Sequence, residues 1–159
     1  MDEALVTGVF IFIVHELEEL VFLHGWARRK CLSKINEPSV VRLLGNSSKR
    51  QFVLTLVSLT CMVVTTTVFL SLFFEKALVF SVFADAFMLH ALLHCALTLW
   101  VKEYFPGTLS ACAGVLIMLF LLTKNDLLDQ AMSMLFMLAG LALNLLLLGY
   151  VRAVFKKKS

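Results

Sequence analysis

Residues 4–24 read ALVTGVFIFIVHELEELVFLH, an apolar run that carries His15, Glu16, Glu18 and Glu19 within it. A bilayer core about 30 Å thick is crossed by about 20 apolar residues in a helix. The run is long enough to span, yet it holds side chains that lipid excludes unless they have a use. Composition decides between a membrane helix and a soluble one. The 159-residue chain is 60% hydrophobic and 16% charged, against about 45–50% and about 25% in soluble domains. So few charges do not cover the surface of a soluble domain of this size. A disordered chain, a disulfide-rich secreted module and a nucleic-acid binder are excluded on the same ground.

Outward from this run, four further segments have the length and apolarity of spans: 51–74, 77–101, 108–123 and 128–151. The fourth is short, which local thinning of the bilayer absorbs. The acidic start, Met1-Asp2-Glu3, does not read as a cleaved signal. The expected fold is all-α, a single polytopic membrane helical bundle of about five transmembrane helices. Orientation follows from Lys and Arg, which collect on the cytoplasmic side. Arg28, Arg29, Lys30, Lys34, Arg42, Lys49 and Arg50 lie in the 25–50 connection, Lys102 after the third span, and Arg152, Lys156, Lys157 and Lys158 after the fifth. Lys76 and Lys124 alone fall on the opposite side. The N-terminus is therefore expected outside and the C-terminus in the cytoplasm. The basic inner face suits anionic lipid headgroups, and no nucleic-acid partner is needed to explain it. Within the connection, 40–44 is either a short interfacial helix or part of a solvated linker.

The site is read from the ionisable residues inside spans. His15, Glu18 and Glu19 stand at i, i+3 and i+4, one face of a helix. Glu16, rotated about 100° from His15, is a weaker member of the set. His90 and His94, at i and i+4 in the third span, can reach one metal. Both spans run outside to inside, so they are parallel. Counted from their inner ends at 1.5 Å per residue, Glu18, Glu19 and His94 lie roughly 10 Å deep, and His15 and His90 roughly 15 Å. The two ladders match in height.

Imidazole and carboxylate together favour zinc, with iron or manganese as alternatives. His15, His90 and His94 with Glu18 or Glu19 are the expected metal ligands, and the remaining Glu the general base. Two metals in a bundle core would use the same groups. A hydrogen-bonded cluster that merely locks two spans together is the structural alternative. Asn144, Ser58 and Asp85 could add hydrogen bonds around the ligands. His24, about 180° from His15, reads as an interfacial residue. Cys61, Cys95 and Cys112 fall within spans and Cys31 in the connection, without a CxxC pair; they read as small apolar packing.

The string His15-Glu16-Leu17-Glu18-Glu19 resembles the motif of the HxxEE family of small bacterial and archaeal membrane proteins. His90 and His94, followed by Tyr104-Phe105-Pro106-Gly107, are similar to that family's histidine segment and Tyr-x-Pro-Gly turn. The resemblance runs from the first span to the fourth. It implies an integral membrane helical protein, in a prokaryotic cytoplasmic membrane, with a metal-dependent site.

From the residues, the leading expectation is an intramembrane metal-dependent hydrolase acting on a lipidic or amphipathic substrate, with redox chemistry on iron second. The rival is a proton or cation relay in a transporter, a homo-oligomer or an accessory subunit of a larger membrane complex.

Overall fold

The computed structural model describes residues 2–32 and 39–127. Five helices follow one another: α1 Asp2–Leu32, α2 Ser39–Asn46, α3 Lys49–Phe73, α4 Lys76–Val101 and α5 Thr108–Lys124. Three of the expected spans coincide with α3, α4 and α5 to within about two residues, the ordinary scatter of helix ends. The fifth expected span, 128–151, lies outside the described residues, and Asn144 with it.

The helix over the first expected span differs from it in length. α1 does not stop near residue 24 but continues for 31 residues, about 46 Å at 1.5 Å per residue. Leu23, Trp26 and Ala27 are buried against Val41 and Leu44 of α2 and Phe52 of α3, so the added turns have a core of their own. Arg29 and Lys30 close its last turn, where positive charge complements the helix dipole. Much of the expected basic connection is thus helical, and 40–44 lies within α2. Gly45 lets α2 approach α1: a Cβ there would stand 2.6 Å from the Ala27 carbonyl oxygen.

Capping sets the remaining boundaries. Ser48 caps α3, its side chain accepting the Gln51 N–H at 3.2 Å. Lys102 ends α4 in the left-handed region (φ 56°). Pro106 and Gly107 then reverse the chain, Gly107 at φ 95°, a conformation that glycine adopts without a Cβ penalty.

α3 and α4 are long and apolar enough to cross a membrane, and α5 is a shorter apolar helix. Phe10, Phe22, Leu72, Phe73, Leu92, Leu99, Trp100, Leu116 and Phe120 all point outward and are exposed. Inside, two apolar clusters sit at different heights. One joins Leu5 and Phe12 to Phe80, Phe83, Phe87, Met118 and Leu122. The other joins Leu23 and Trp26 to Val41, Phe52 and Phe105. His15 and Glu19 of α1 fall between them along the helix, so the polar groups form a layer with apolar packing above and below.

Candidate metal centre

α1 and α4 run parallel in a constant register. His15 Nε2 lies 3.0 Å from His90 Nε2, and Glu19 Oε1 lies 2.8 Å from His94 Nε2, each pair separated by 75 positions. Lys30 Nζ, at the end of α1, meets Glu103 Oε1 just past α4 at 2.5 Å. The matched ladders expected from the sequence therefore touch.

Four donor atoms converge. His94 Nε2 is 3.2 Å from His90 Nε2, and Glu19 Oε1 is 3.6 Å from His15 Nε2 and 4.0 Å from His90 Nε2. All four ligand atoms lie within 4.8 Å of one another. His15, Glu19 and His94 are buried and His90 is half-buried. With metal–ligand bonds of about 2.0–2.1 Å, the edge of a tetrahedron of donors is roughly 3.3–3.4 Å. The observed separations bracket that value, so the residues present fit a single divalent ion.

The outer nitrogen of His15 is held by α5. His15 Nδ1 lies 3.0 Å from Ser110 Oγ, whose hydroxyl donates to the Gly107 carbonyl at 3.1 Å. With the hydroxyl proton on the Gly107 carbonyl, Ser110 Oγ accepts from a hydrogen on Nδ1, the tautomer that turns the Nε2 lone pair inward. A hydrogen bond of this kind orients a ligating imidazole. His94 Nδ1 is buried without a hydrogen-bond partner. Gly107 packs on both rings: a Cβ there would stand 2.6 Å from His94 Cε1 and 3.0 Å from His15 Cε1. The turn and the histidines leave no room for another residue.

Glu18 departs from its expected place among the metal ligands. Its carboxylate accepts the Gly107 N–H at 3.0 Å, the Ser110 N–H at 3.3 Å and the Tyr104 hydroxyl. The first turn of a helix leaves N–H groups without partners and favours negative charge. Gly107 has no side chain to cap α5, so Glu18 supplies the cap from α1. One face of α1 thus carries two jobs: His15 and Glu19 meet the α4 histidines, and Glu18 holds α5. Burial and the Glu18 carboxylate push the Tyr104 phenol above its ordinary value, so it remains a donor at neutral pH.

The other expected residues fall elsewhere. The Ser58 hydroxyl donates to the Thr55 carbonyl of its own helix at 2.9 Å, the usual way a hydroxyl is satisfied in an apolar helix. Asp85 is buried on α4, its Oδ2 without a partner, and it is not in the cluster. His24 Nε2 meets the Ser47 carbonyl oxygen at 3.0 Å. Glu16 is more deeply enclosed than its weak standing in the sequence suggests. It is buried and accepts the Thr60 hydroxyl at 3.3 Å. With Ile13, Leu17, Leu20, Leu56, Val57, Thr60 and Cys61 it lines a groove of about 110 Å³ between α1 and α3. Ser110 is the functional side chain that sequence reasoning missed, because Gly-Thr-Leu-Ser also reads as a plain helix start.

The family follows from the same residues. The sequence model of a family described as "Protein of unknown function with HXXEE motif" matches residues 6–122. The chain belongs to the HXXEE family. The matched region contains His15 and the Glu18-Glu19 pair, both α4 histidines and the α5 turn. It therefore covers every residue of the HXXEE centre described above. No curated protein and no solved structure matches the chain.

Proposed function

We propose that this HXXEE protein is an integral membrane metalloenzyme, with His15, His90, His94 and Glu19 around a divalent ion, zinc before iron or manganese. The observation that carries the reading is the convergence of three imidazole Nε2 atoms and one carboxylate oxygen within 4.8 Å. Three imidazole Nε2 atoms facing one another in an apolar core cannot all be satisfied by one another, and a bound cation would accept a lone pair from each.

Membrane embedding is supported by α3 and α4, at 25 and 26 residues, each longer than a bilayer core about 30 Å thick. The outward apolar side chains suit lipid, and the placement of Lys and Arg favours the N-terminus outside and the C-terminus in the cytoplasm.

Hydrolysis of a lipidic or amphipathic substrate is the reaction we favour. A bound zinc ion would supply a Lewis acid that lowers the pKa of water to about 7. The chain does the rest. Three histidines bind, and Ser110 fixes the direction of His15. With the three histidines as the ligands, Glu19 Oε1 would be left to take a proton instead of closing the coordination sphere, whereas Glu18 is engaged by the α5 turn. The groove beside Glu16 offers apolar walls for a hydrocarbon tail. Elemental analysis of detergent-purified protein tests the reading. We expect stoichiometric metal in the wild type and background levels in His15→Ala and His94→Ala. A folded wild type without metal would overturn it.

A second reading has its own support. His15, His90, His94 and Glu19 form a continuous chain of contacts, the arrangement of a proton relay. It predicts a pH-driven flux in liposomes from metal-free protein, abolished by Glu19→Gln.

A further inference from the structure

α4 and α5 pack closely because small side chains line their seam. Ala91 and Ala111 are buried there, and at Gly114 a Cβ would meet the Phe87 ring at 2.6 Å. Near the Gly107 turn the two helices are joined by matched pairs. Thr98 Oγ1 lies 2.8 Å from Thr108 Oγ1. One turn further along, Cys95 Sγ lies 3.7 Å from Cys112 Sγ. This is the only sulfur–sulfur contact among the described residues. Cys31 Sγ instead approaches the Val41 carbonyl at 3.5 Å, and Cys61 stands exposed on α3. The packing role expected of cysteine in a span suits a buried thiol, which is inert. Cys95 is half-buried and Cys112 exposed, both open to a reagent dissolved in the bilayer.

We propose that Cys95 and Cys112 form a redox-active dithiol site that organic hydroperoxides convert into a disulfide tying α4 to α5. Cys112, the more exposed thiol, attacks the terminal peroxide oxygen. The S–O bond forms, the O–O bond breaks, and the alcohol leaves with the Cys112 proton. Cys95 then attacks the sulfenic sulfur; the S–S bond forms, the S–O bond breaks, and the hydroxide leaves as water with the Cys95 proton. Both sulfurs are oxidised by one electron each, and the peroxide takes up the pair. The two sulfurs need to close from 3.7 Å to about 2.05 Å. The site adjoins the metal layer in sequence, since Cys95 follows His94 and Cys112 lies two residues past Ser110, but its chemistry does not depend on a metal.

The test is to treat the purified full chain in detergent with cumene hydroperoxide and then with N-ethylmaleimide. Reduced wild type has four thiols to alkylate. After oxidation we expect two, a mass lower by two hydrogens before alkylation, and a peptide linking Cys95 to Cys112, all reversed by dithiothreitol. In Cys95→Ser, dimedone is expected to trap a sulfenic acid at Cys112, and no disulfide forms. Four alkylated thiols after hydroperoxide, or a disulfide involving Cys31 or Cys61 instead, overturns the proposal. Serine is close in size to cysteine, and unchanged helicity of each variant confirms its fold before the comparison is made.

Discussion

Phe12 and His15 are neighbours on the same stretch of α1, yet the layers they belong to are held by opposite kinds of contact. Phe12 stacks edge-on to Phe83 at 6.0 Å between centroids, in a cluster whose members have no preferred partner beyond fit. His15 has two nitrogens, and each has a specific neighbour, Ser110 on α5 and His90 on α4. The apolar layer gains from area removed from water and from close packing. The polar layer gains only when every donor finds its acceptor, because an unpaired buried group costs more than a hydrogen bond gains. A substitution therefore has a graded effect in the first layer and disrupts a whole network in the second.

The sharpest way to break this contrast is His94→Ala. It removes one of the four proposed ligands and leaves the buried Glu19 carboxylate without its 2.8 Å neighbour. Bound metal should fall to background by elemental analysis, and stability by about 3–5 kcal/mol in chemical denaturation. Phe80→Ala is the control in the other layer. Phe80 is fully buried, and its loss should cost about 3–5 kcal/mol while the metal stoichiometry stays at the wild-type value. If Phe80→Ala released metal, the two layers would not be separable.

Gly107→Ala tests the seam between turn and histidines. Forcing a Cβ into φ 95° beside the His94 ring should cost at least about 1–2 kcal/mol from the backbone alone, with weaker metal binding in a competitive chelator titration. The smallest effect belongs to Tyr104→Phe. Tyr104 is half exposed, so losing its bond to Glu18 should cost under about 1 kcal/mol. Its pKa is raised in the folded protein. The associated stability is then fully present below the ordinary tyrosine value of about 10 and lost as pH rises through the folded value. Thermal melts of wild type and Tyr104→Phe should differ at neutral pH and converge in strong alkali.

Much of this centre is legible in the sequence. His15 and Glu19 are one helical turn apart, as are His90 and His94, so each pair shares a face whatever surrounds it. Glu18 was ambiguous for the same reason: at i+3 from His15 it shares that face too. Whether it joins the ligands or caps α5 depends on where Gly107 arrives, a matter of chain reversal and not of helical period. Glu16 was undervalued because periodicity reports which way a residue points but not what stands opposite; Thr60 of α3 stands there. The apolar run 4–24 is shorter than α1 because hydropathy falls towards Arg28, while the helix itself persists as long as Trp26 and Ala27 have α2 to pack on.

By itself, the sequence determined that the chain is helical, that two of its described helices are long and apolar enough to cross a membrane, and that a few histidines and glutamates stand out against that background. Those properties are local, set by hydropathy, length and the 3.6-residue period. Only the tertiary structure decided which carboxylate meets the histidines, that Ser110 orients His15, and that Cys95 meets Cys112. Each is a contact between different helices, fixed by the register of α1 against α4 and by how the 102–107 turn lays α5 against them. No period within one helix carries that information.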